Sequence, residues 1–349
     1  MQEGIDAFVK LGSFLSQFTT AGIMRKENID FNDIFFDGFQ HQIKLASEKN
    51  AWFTKDNVLF SLESWSKALT KDNICKWTEN QNVNSNKKTV AIVMAGNIPL
   101  VGFHDFLAVL ISGHSVIVKQ SSNDKHLLPF LAKYLEYVSP SFKGKMIFTE
   151  EKLEGFDAVI ATGSNNTARY FEHYFKGKPS IIRKNRNSVA VITGKESEEE
   201  MKALSNDVFQ YFGLGCRSVS KLFVPHGYNF DAFFKGMYGK QDIINNVKYA
   251  NNYDYNKAVY LMSEFDLLEN GFLMIKEDQS YASPIATIFY EYYADRDELK
   301  KQLEEASEQI QCIVSKDFMS NEINFGKTQQ PQLWDYADGI NTLDFLESI

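Results

Sequence analysis

A single thiol stands inside Phe209-Gln210-Tyr211-Phe212-Gly213-Leu214-Gly215-Cys216-Arg217, and Ser218-Val219-Ser220-Lys221-Leu222-Phe223-Val224-Pro225 follows it. Two glycines let the backbone bend tightly and leave the sulfur uncovered. The neighbouring Arg217 favours the thiolate, the reactive form of cysteine. A helical pattern leads into the bend and a β-branched, aromatic strand leads out of it. These types at this spacing predict that Cys216 is a nucleophile. The alternative, a small buried hydrophobe, more often sits within an apolar run. Cys75 and Cys312 lack glycine flanks and are expected in the core.

Three more segments stand at the ends of expected strands. In Ala95-Gly96-Asn97-Ile98-Pro99-Leu100 a glycine permits close approach, an amide follows, and a proline suits the first turn of a helix; a capping asparagine is the plainer reading. In Val116-Ile117-Val118-Lys119-Gln120-Ser121-Ser122-Asn123 a lysine closes a strand and hydroxyls follow, against the alternative of a solvated loop. In Ala161-Thr162-Gly163-Ser164-Asn165-Asn166 a Gly-Ser pair opens a helix. Backbone N–H groups at such a terminus can hold a phosphate, although serine also caps helices that bind nothing.

The elements that must position these residues follow from periodicity. Three apolar stripes at helical spacing (Ile5, Phe8, Val9, Leu15, Phe18; Phe35, Phe36, Phe39, Ile43; Val58, Leu59, Leu62, Trp65, Leu69) make residues 1–88 a helical cap that ends in an asparagine-rich loop over 79–88. Strands are expected at 89–95, 115–119, 145–148, 157–161 and 188–193, with helices over 99–112, 125–137 and 164–175. That alternation predicts a mostly parallel, doubly wound sheet whose ligands sit at the carboxyl ends of its strands. A cofactor-binding domain is therefore drawn over 89–193. A second domain over 194–324 carries a helix at 197–212, the Cys216 bend, and strands ending at Pro225 and over 285–290 and 310–314, with a charged helix over 295–309. The segment 325–349 reads as irregular, then helical, and is expected to return to the cofactor domain or to an oligomer interface.

Bulk properties bound the function. A formal net charge of -8 lacks the basic footprint that phosphate contacts need, which argues against a nucleic-acid partner. With 29 Phe and 16 Tyr the core is aromatic. Three widely spaced cysteines form neither a disulfide framework nor a zinc knuckle and suit a reducing cytoplasm, so no metal is expected. The N-terminus lacks the pattern of a signal peptide, and no apolar run is long enough for a membrane span.

An asparagine after the first strand, a lysine after the second, a later Gly-Ser and a glycine-flanked cysteine together resemble the aldehyde dehydrogenase superfamily. Lys184-Asn185-Arg186-Asn187-Ser188-Val189-Ala190-Val191, the Phe212-Gly213-Leu214-Gly215-Cys216-Arg217 segment, and the tail from Phe325-Gly326 through Asp335-Tyr336-Ala337-Asp338-Gly339 are similar to the LuxC-type fatty acyl-CoA reductases, over roughly residues 50–349. The resemblance implies an α/β, aldehyde-dehydrogenase-like fold: a Rossmann-type cofactor domain, an α/β catalytic domain with the nucleophilic cysteine, and a small oligomerisation element. It implies that Cys216 is acylated, that Asn97 and the Cys216 backbone N–H stabilise the oxyanion, that Lys119 binds ribose, and that Gly163 and Ser164 meet the pyrophosphate.

Two departures from the superfamily pattern bear on the reaction. Where hydrolytic relatives carry a glutamate that activates water, this chain has Arg183-Lys184-Asn185-Arg186-Asn187-Ser188. Without that base a thioester is poorly hydrolysed and survives until hydride arrives. Ser122 stands near the acidic residue with which NAD-preferring relatives bind the adenosine 2′-hydroxyl, so NADPH is expected, with NADH as the alternative. His104, seven residues after Asn97, is a candidate proton donor two helical turns along one face. His173, on the helix after Gly163-Ser164, is another, against the alternative for both of a structural or exposed histidine. The expected activity is NADPH-dependent reduction of an acyl-CoA, fatty acyl by resemblance, to the aldehyde. An acyl-activating partner enzyme and a homo-oligomer are part of that expectation. Oxidative aldehyde dehydrogenation and a non-catalytic acyl carrier are the rivals; the missing carboxylate opposes the first, and the cofactor segments oppose the second.

Overall fold

The computed structural model describes residues 2–81 and 86–349, so residues 82–85 of the expected asparagine-rich loop lie outside the described residues. The chain divides into two compact units, one reaching to Lys184 and including Gln332–Ile349, the other Asn185–Pro331.

The first unit begins with α1 (Gln2–Leu15), a small hairpin of β1 (Phe18–Thr19) and β2 (Gly22–Ile23), then α2 (Asn32–Lys49), α3 (Lys55–Ala68) and α4 (Lys71–Trp77). Ile5, Phe8, Leu11, Phe14 and Leu15 of α1 are buried at helical spacing. Thr54 and Thr70 cap α3 and α4, each accepting the N–H three residues on. β3 (Thr89–Val93), α5 (Phe103–Ile111), β4 (Ser115–Lys119), α6 (Leu127–Val138), β5 (Met146–Phe148), β6 (Ala158–Thr162), α7 (Asn165–Tyr174) and β7 (Ser180–Arg183) follow. Among the described residues their strands form one parallel sheet in the order β5-β4-β3-β6-β7. Val90, Ala91 and Ile92 are buried, as a strand covered on both faces requires. The chain steps from β3 to β4 in one direction and resumes at β6 on the other side of β3, so the switch point of the topology lies beside β3. The helical cap packs on α6 through aromatic rings: Phe14 stacks on Tyr134 with centroids 4.4 Å apart, and Phe39 lies on Phe130.

The second unit comprises β8 (Asn187–Val191), α8 (Glu198–Phe209), β9 (Val219–Pro225), α9 (Asp231–Met237), α10 (Val247–Met262), β10 (Leu268–Glu269), β11 (Met274–Glu277), β12 (Thr287–Tyr293), α11 (Arg296–Glu305) and β13 (Ile310–Val314). Its strands are ordered β10-β11-β12-β9-β8-β13, parallel except for the β10 edge. α8 opens on a full capping box between Ser197 and Glu200. The chain then returns to the first unit and ends in α12 (Thr342–Glu347).

Several expectations need correction. The boundary falls at Lys184/Asn185 and not at 193/194, because strand 187–191 pairs with β9 and β13 of the second sheet. Residues 325–331 stay with the second unit, and only Gln332–Ile349 joins the first. β7 and β11 had no counterpart in the sequence reading. The helix expected over 99–112 begins at Phe103, since Leu100 adopts a left-handed φ of 58°. Cys75 is exposed on α4 and is not a core residue, whereas Cys312 is buried.

Candidate functional site

In the second unit Cys216 is exposed, at the amino end of β9. It is the second residue of a turn closed by the Ser218 N–H on the Gly215 carbonyl at 2.9 Å. Its own carbonyl accepts from Ser188 Oγ at 2.9 Å, which ties the turn to the start of β8. The approach to the turn is strained: Tyr211, Phe212 and Gly213 are consecutive left-handed residues, with φ of 55°, 59° and 75°. Only glycine takes that conformation readily, so Tyr211 and Phe212 must be held by packing. Both are buried, Phe212 lies against Tyr249, and the Tyr249 hydroxyl donates to the Phe272 carbonyl at 2.9 Å.

The other side of the turn is fixed by the strap 326–329. Arg217 Nε donates to the Thr328 carbonyl at 2.5 Å, and Gln329 Nε2 donates to Ser218 Oγ at 3.2 Å. The strap is anchored on Asp207, a fully buried carboxylate on α8 that accepts from the Gly326 N–H at 2.5 Å, the Thr328 N–H at 3.0 Å and Thr328 Oγ1 at 2.8 Å. Burial pushes the Asp207 carboxyl up, and these donors pull it back. Lys221, five residues after the thiol, is fully buried; its Nζ donates to Glu291 Oε2 and to the Gln279 carbonyl, each at 2.7 Å.

In the first unit Val93 pairs with Lys119 of β4 and with Ala161 of β6. The segments carrying Asn97, Lys119 with Ser122, and Gly163 with Ser164 therefore leave the sheet at one edge. Asn97 is exposed on a bend. Gly96 is needed there because a Cβ would come within 2.4 Å of Ser121 Oγ; its close approach is to the neighbouring loop. Lys119 is half-buried, with Nζ donating to the Glu151 carbonyl at 3.1 Å. Ser122 is exposed at the tip of a turn closed by the Asp124 N–H on the Ser121 carbonyl. Gly163 lets α7 lie close to β6, since a Cβ would meet Thr167 at 2.9 Å. Ser164 is the N-cap of α7, its Oγ accepting the Thr167 N–H at 3.2 Å.

The two candidate histidines differ in setting. Residues 97–102 are not helical, so Asn97 and His104 share no helix face and the two-turn argument fails. His104 Nε2 donates to the Leu333 carbonyl at 2.8 Å, and its ring lies between Trp77 and Tyr336. Burial lowers its pKa, which keeps the ring neutral. It anchors the returning C-terminal segment. His173 is exposed near the end of α7. Arg183 is buried with its guanidinium on Asp105 at 2.6 Å, Thr342 Oγ1 at 3.1 Å and the Ala337 carbonyl at 3.1 Å.

Two carboxylates escaped the sequence reading. Asp207 falls among buried α8 positions Leu204 and Val208, a polar residue on an apolar stripe and so a legible signal. Asp124 gave none, since an aspartate shortly before a helix reads as a surface cap. It is buried, its Oδ2 accepts the Leu100 N–H at 2.9 Å, and burial pushes its carboxyl up to about 6. Among the described residues no group of three or more His, Cys, Asp or Glu side chains is arranged to hold a metal, and no helix is long and apolar enough to cross a membrane.

A family model described as acyl-CoA reductase (LuxC) matches residues 51–284. Among solved structures, aldehyde dehydrogenase 21 of Physcomitrella patens, in complex with the reaction product succinate, is 14% identical, with a TM-score of 0.61 over 90% of this chain and 77% of that one. The aldehyde dehydrogenase KauB of Pseudomonas aeruginosa is 12% identical, with a TM-score of 0.63 over 91% and 72%. An aldehyde dehydrogenase of Bacillus cereus in its NAD+ complex is 13% identical, with a TM-score of 0.60 over 90% and 71%. At these identities the likeness carries the fold, which is that of the aldehyde dehydrogenases. No curated protein matches the sequence significantly.

Proposed function

Because this chain belongs to the acyl-CoA reductase (LuxC) family, oxidoreductases of acyl and aldehyde groups, we propose that it reduces an acyl-CoA thioester to the aldehyde through an acyl-enzyme on Cys216. The observation that carries this reading is the exposed thiol on a turn braced by Ser188 on one side and by the strap of Thr328 and Gln329 on the other. A nucleophile gains from such bracing because the attacking atom must be held near its reacting geometry.

In the proposed sequence the Cys216 thiolate attacks the thioester carbonyl. The tetrahedral oxyanion collapses with expulsion of the coenzyme A thiolate, and the acyl group stays on sulfur. The Asn97 side-chain amide is assigned to the oxyanion, where a hydrogen bond is worth most in the transition state. The stretch from Arg183 to Ser188 offers no general base to water, and Arg183 itself is committed to Asp105. The thioester is thereby spared hydrolysis until it is reduced and the carbon–sulfur bond breaks to release aldehyde.

A nicotinamide dinucleotide fits the first unit: three loop segments leave one edge of a doubly wound sheet beside its switch point, with Lys119, Ser122, Gly163 and Ser164 at or near the surface. When bound, it supplies the hydride. Lys119 is assigned to its ribose, Gly163 and Ser164 to its pyrophosphate, and the neutral Ser122 tolerates a 2′-phosphate, which favours NADPH over NADH. The family resemblance extends the reading to a fatty acyl chain, an acyl-activating partner enzyme and a homo-oligomer. Incubation with palmitoyl- or butyryl-CoA and NADPH or NADH tests it. The expected result is one aldehyde formed per nucleotide oxidised. Nucleotide reduction from an aldehyde, with none consumed with acyl-CoA, would reverse the assignment.

A further inference from the structure

Leu100 is buried in a left-handed conformation that a branched side chain rarely adopts. Such a conformation persists only where its surroundings over-determine it. The Pro99 carbonyl accepts from Ser61 Oγ at 3.1 Å, and the Leu100 carbonyl accepts the Phe103 N–H at 3.0 Å. The Leu100 N–H goes to Asp124 Oδ2 at 2.9 Å. Asp124 belongs to the other loop, the one after β4: its N–H closes the Ser121 turn at 3.1 Å, and its carbonyl accepts from Gln120 Nε2 at 2.8 Å. The two loops touch again where Gly96 meets Ser121, and the Met94 N–H donates to the Lys119 carbonyl at 3.0 Å.

The bridge between the loops is made at a cost to the fold. Asp124 Oδ1 is buried and, among the described residues, has no hydrogen-bond partner, so one oxygen is desolvated without compensation. Burial raises the carboxyl, and the Leu100 amide only partly opposes that. The groups next to it are neutral, namely the Leu100 amide, Ser121 and Gln120, while the adjacent Lys125 is turned to Glu150.

We propose that Asp124 is a positioning residue whose carboxylate locks the Leu100 turn, and through it the loop carrying Asn97, onto the Ser121–Asp124 turn that carries Ser122. The oxyanion loop and the nucleotide loop then move as one body. This inference rests on the proposed role of Asn97 and adds the residue that fixes it.

The test is the single-turnover rate of acylation by palmitoyl-CoA, followed by intact-protein mass, with a circular-dichroism melt for each variant. Asp124→Ala is expected to slow acylation by roughly 10- to 100-fold, because a displaced oxyanion donor loses most of its effect. Asp124→Asn keeps an acceptor for the Leu100 N–H and is expected to recover acylation to within about threefold. In an Asn97→Ala background, Asp124→Ala is expected to change the rate by less than about threefold, since residues acting through one group are not additive. Full additivity, or an Asn variant as slow as the Ala variant, overturns the inference. If Asp124→Ala does not fold, Asp124→Ser, whose shorter side chain keeps a polar group but draws the acceptor away from the Leu100 N–H, runs the same cycle with the same criterion. A wild type that forms no adduct overturns the underlying acyl-enzyme reading, and the inference with it; an adduct with an additive cycle overturns the inference alone.

Discussion

Ser122 is exposed at the tip of its turn, so its substitution changes surface chemistry without disturbing packing. A carboxylate there would repel a 2′-phosphate and accept hydrogen bonds from ribose hydroxyls. Ser122→Glu is expected to shift preference from NADPH towards NADH by roughly tenfold, about 1.4 kcal/mol. Steady-state kinetics with both nucleotides would read this, and an unchanged ratio would remove Ser122 from the cofactor site. Asp124 gives a prediction of opposite kind. Its folded carboxyl, at about 6, lies above the ordinary 3.8, so the folded state holds its proton more tightly than the unfolded chain does. Stability is then greatest below pH 3.8 and falls as pH rises through 6, by about 3 kcal/mol at neutral pH. Asp124→Asn is expected to raise the urea midpoint at pH 7.5 and leave it almost unchanged at pH 4. A lower midpoint at pH 7.5 would mean that the carboxylate is compensated after all. At this scale the bends that carry Cys216 and Asn97 were legible, because glycine neighbours mark them. The helix face expected to join Asn97 and His104 is absent, because a spacing of seven means one face only where the backbone between is helical, and Leu100 breaks it. Asp124 was invisible because nothing local distinguishes a buried cap from an exposed one.

The elements around the thiol show why a turn can be both exposed and held. α8 supplies Asp207, which gathers three donors from the 326–328 strap, and the strap in turn holds Arg217. Gly326 takes a left-handed φ of 80° close to Ala203, so only glycine suits the strap's start. Asp207→Ala would leave those donors without an acceptor in a buried place. It is expected to destabilise the protein by about 3 kcal/mol or more and to slow acylation of Cys216, measured by urea unfolding and intact mass. Unchanged stability would show that the strap is held by something else. Strands such as 115–119 and 310–314 were legible to the residue because a β-branched run bounded by polar residues admits little else. β11 was not, because Met274-Ile275-Lys276-Glu277 has a charged end whose burial depends on tertiary partners: Lys276 Nζ sits on Asp278 at 2.5 Å and near the Phe265 ring.

At the scale of the molecule, the division at Lys184 was hidden because β7 and β8 follow each other closely, and only their pairing assigns them to different sheets. The return of the C-terminus was likewise beyond local pattern. It is written in long-range partners: His114 Nε2 on the Leu346 carbonyl at 3.0 Å, Trp77 Nε1 on the Tyr336 hydroxyl at 2.9 Å, and Arg183 on Thr342. Leu346 is fully buried in the first unit's core, so Leu346→Ala is expected to cost about 3 kcal/mol, read as a lower urea midpoint; a change below about 0.5 kcal/mol would mean that the return contributes little. The proposed reaction requires a thioester on Cys216. Intact-protein mass after exposure to palmitoyl-CoA without nucleotide tests it most directly. A single acyl adduct is expected that maps to Cys216 and is absent in Cys216→Ala. An adduct on the exposed Cys75, or one that persists in Cys216→Ala, would contradict it.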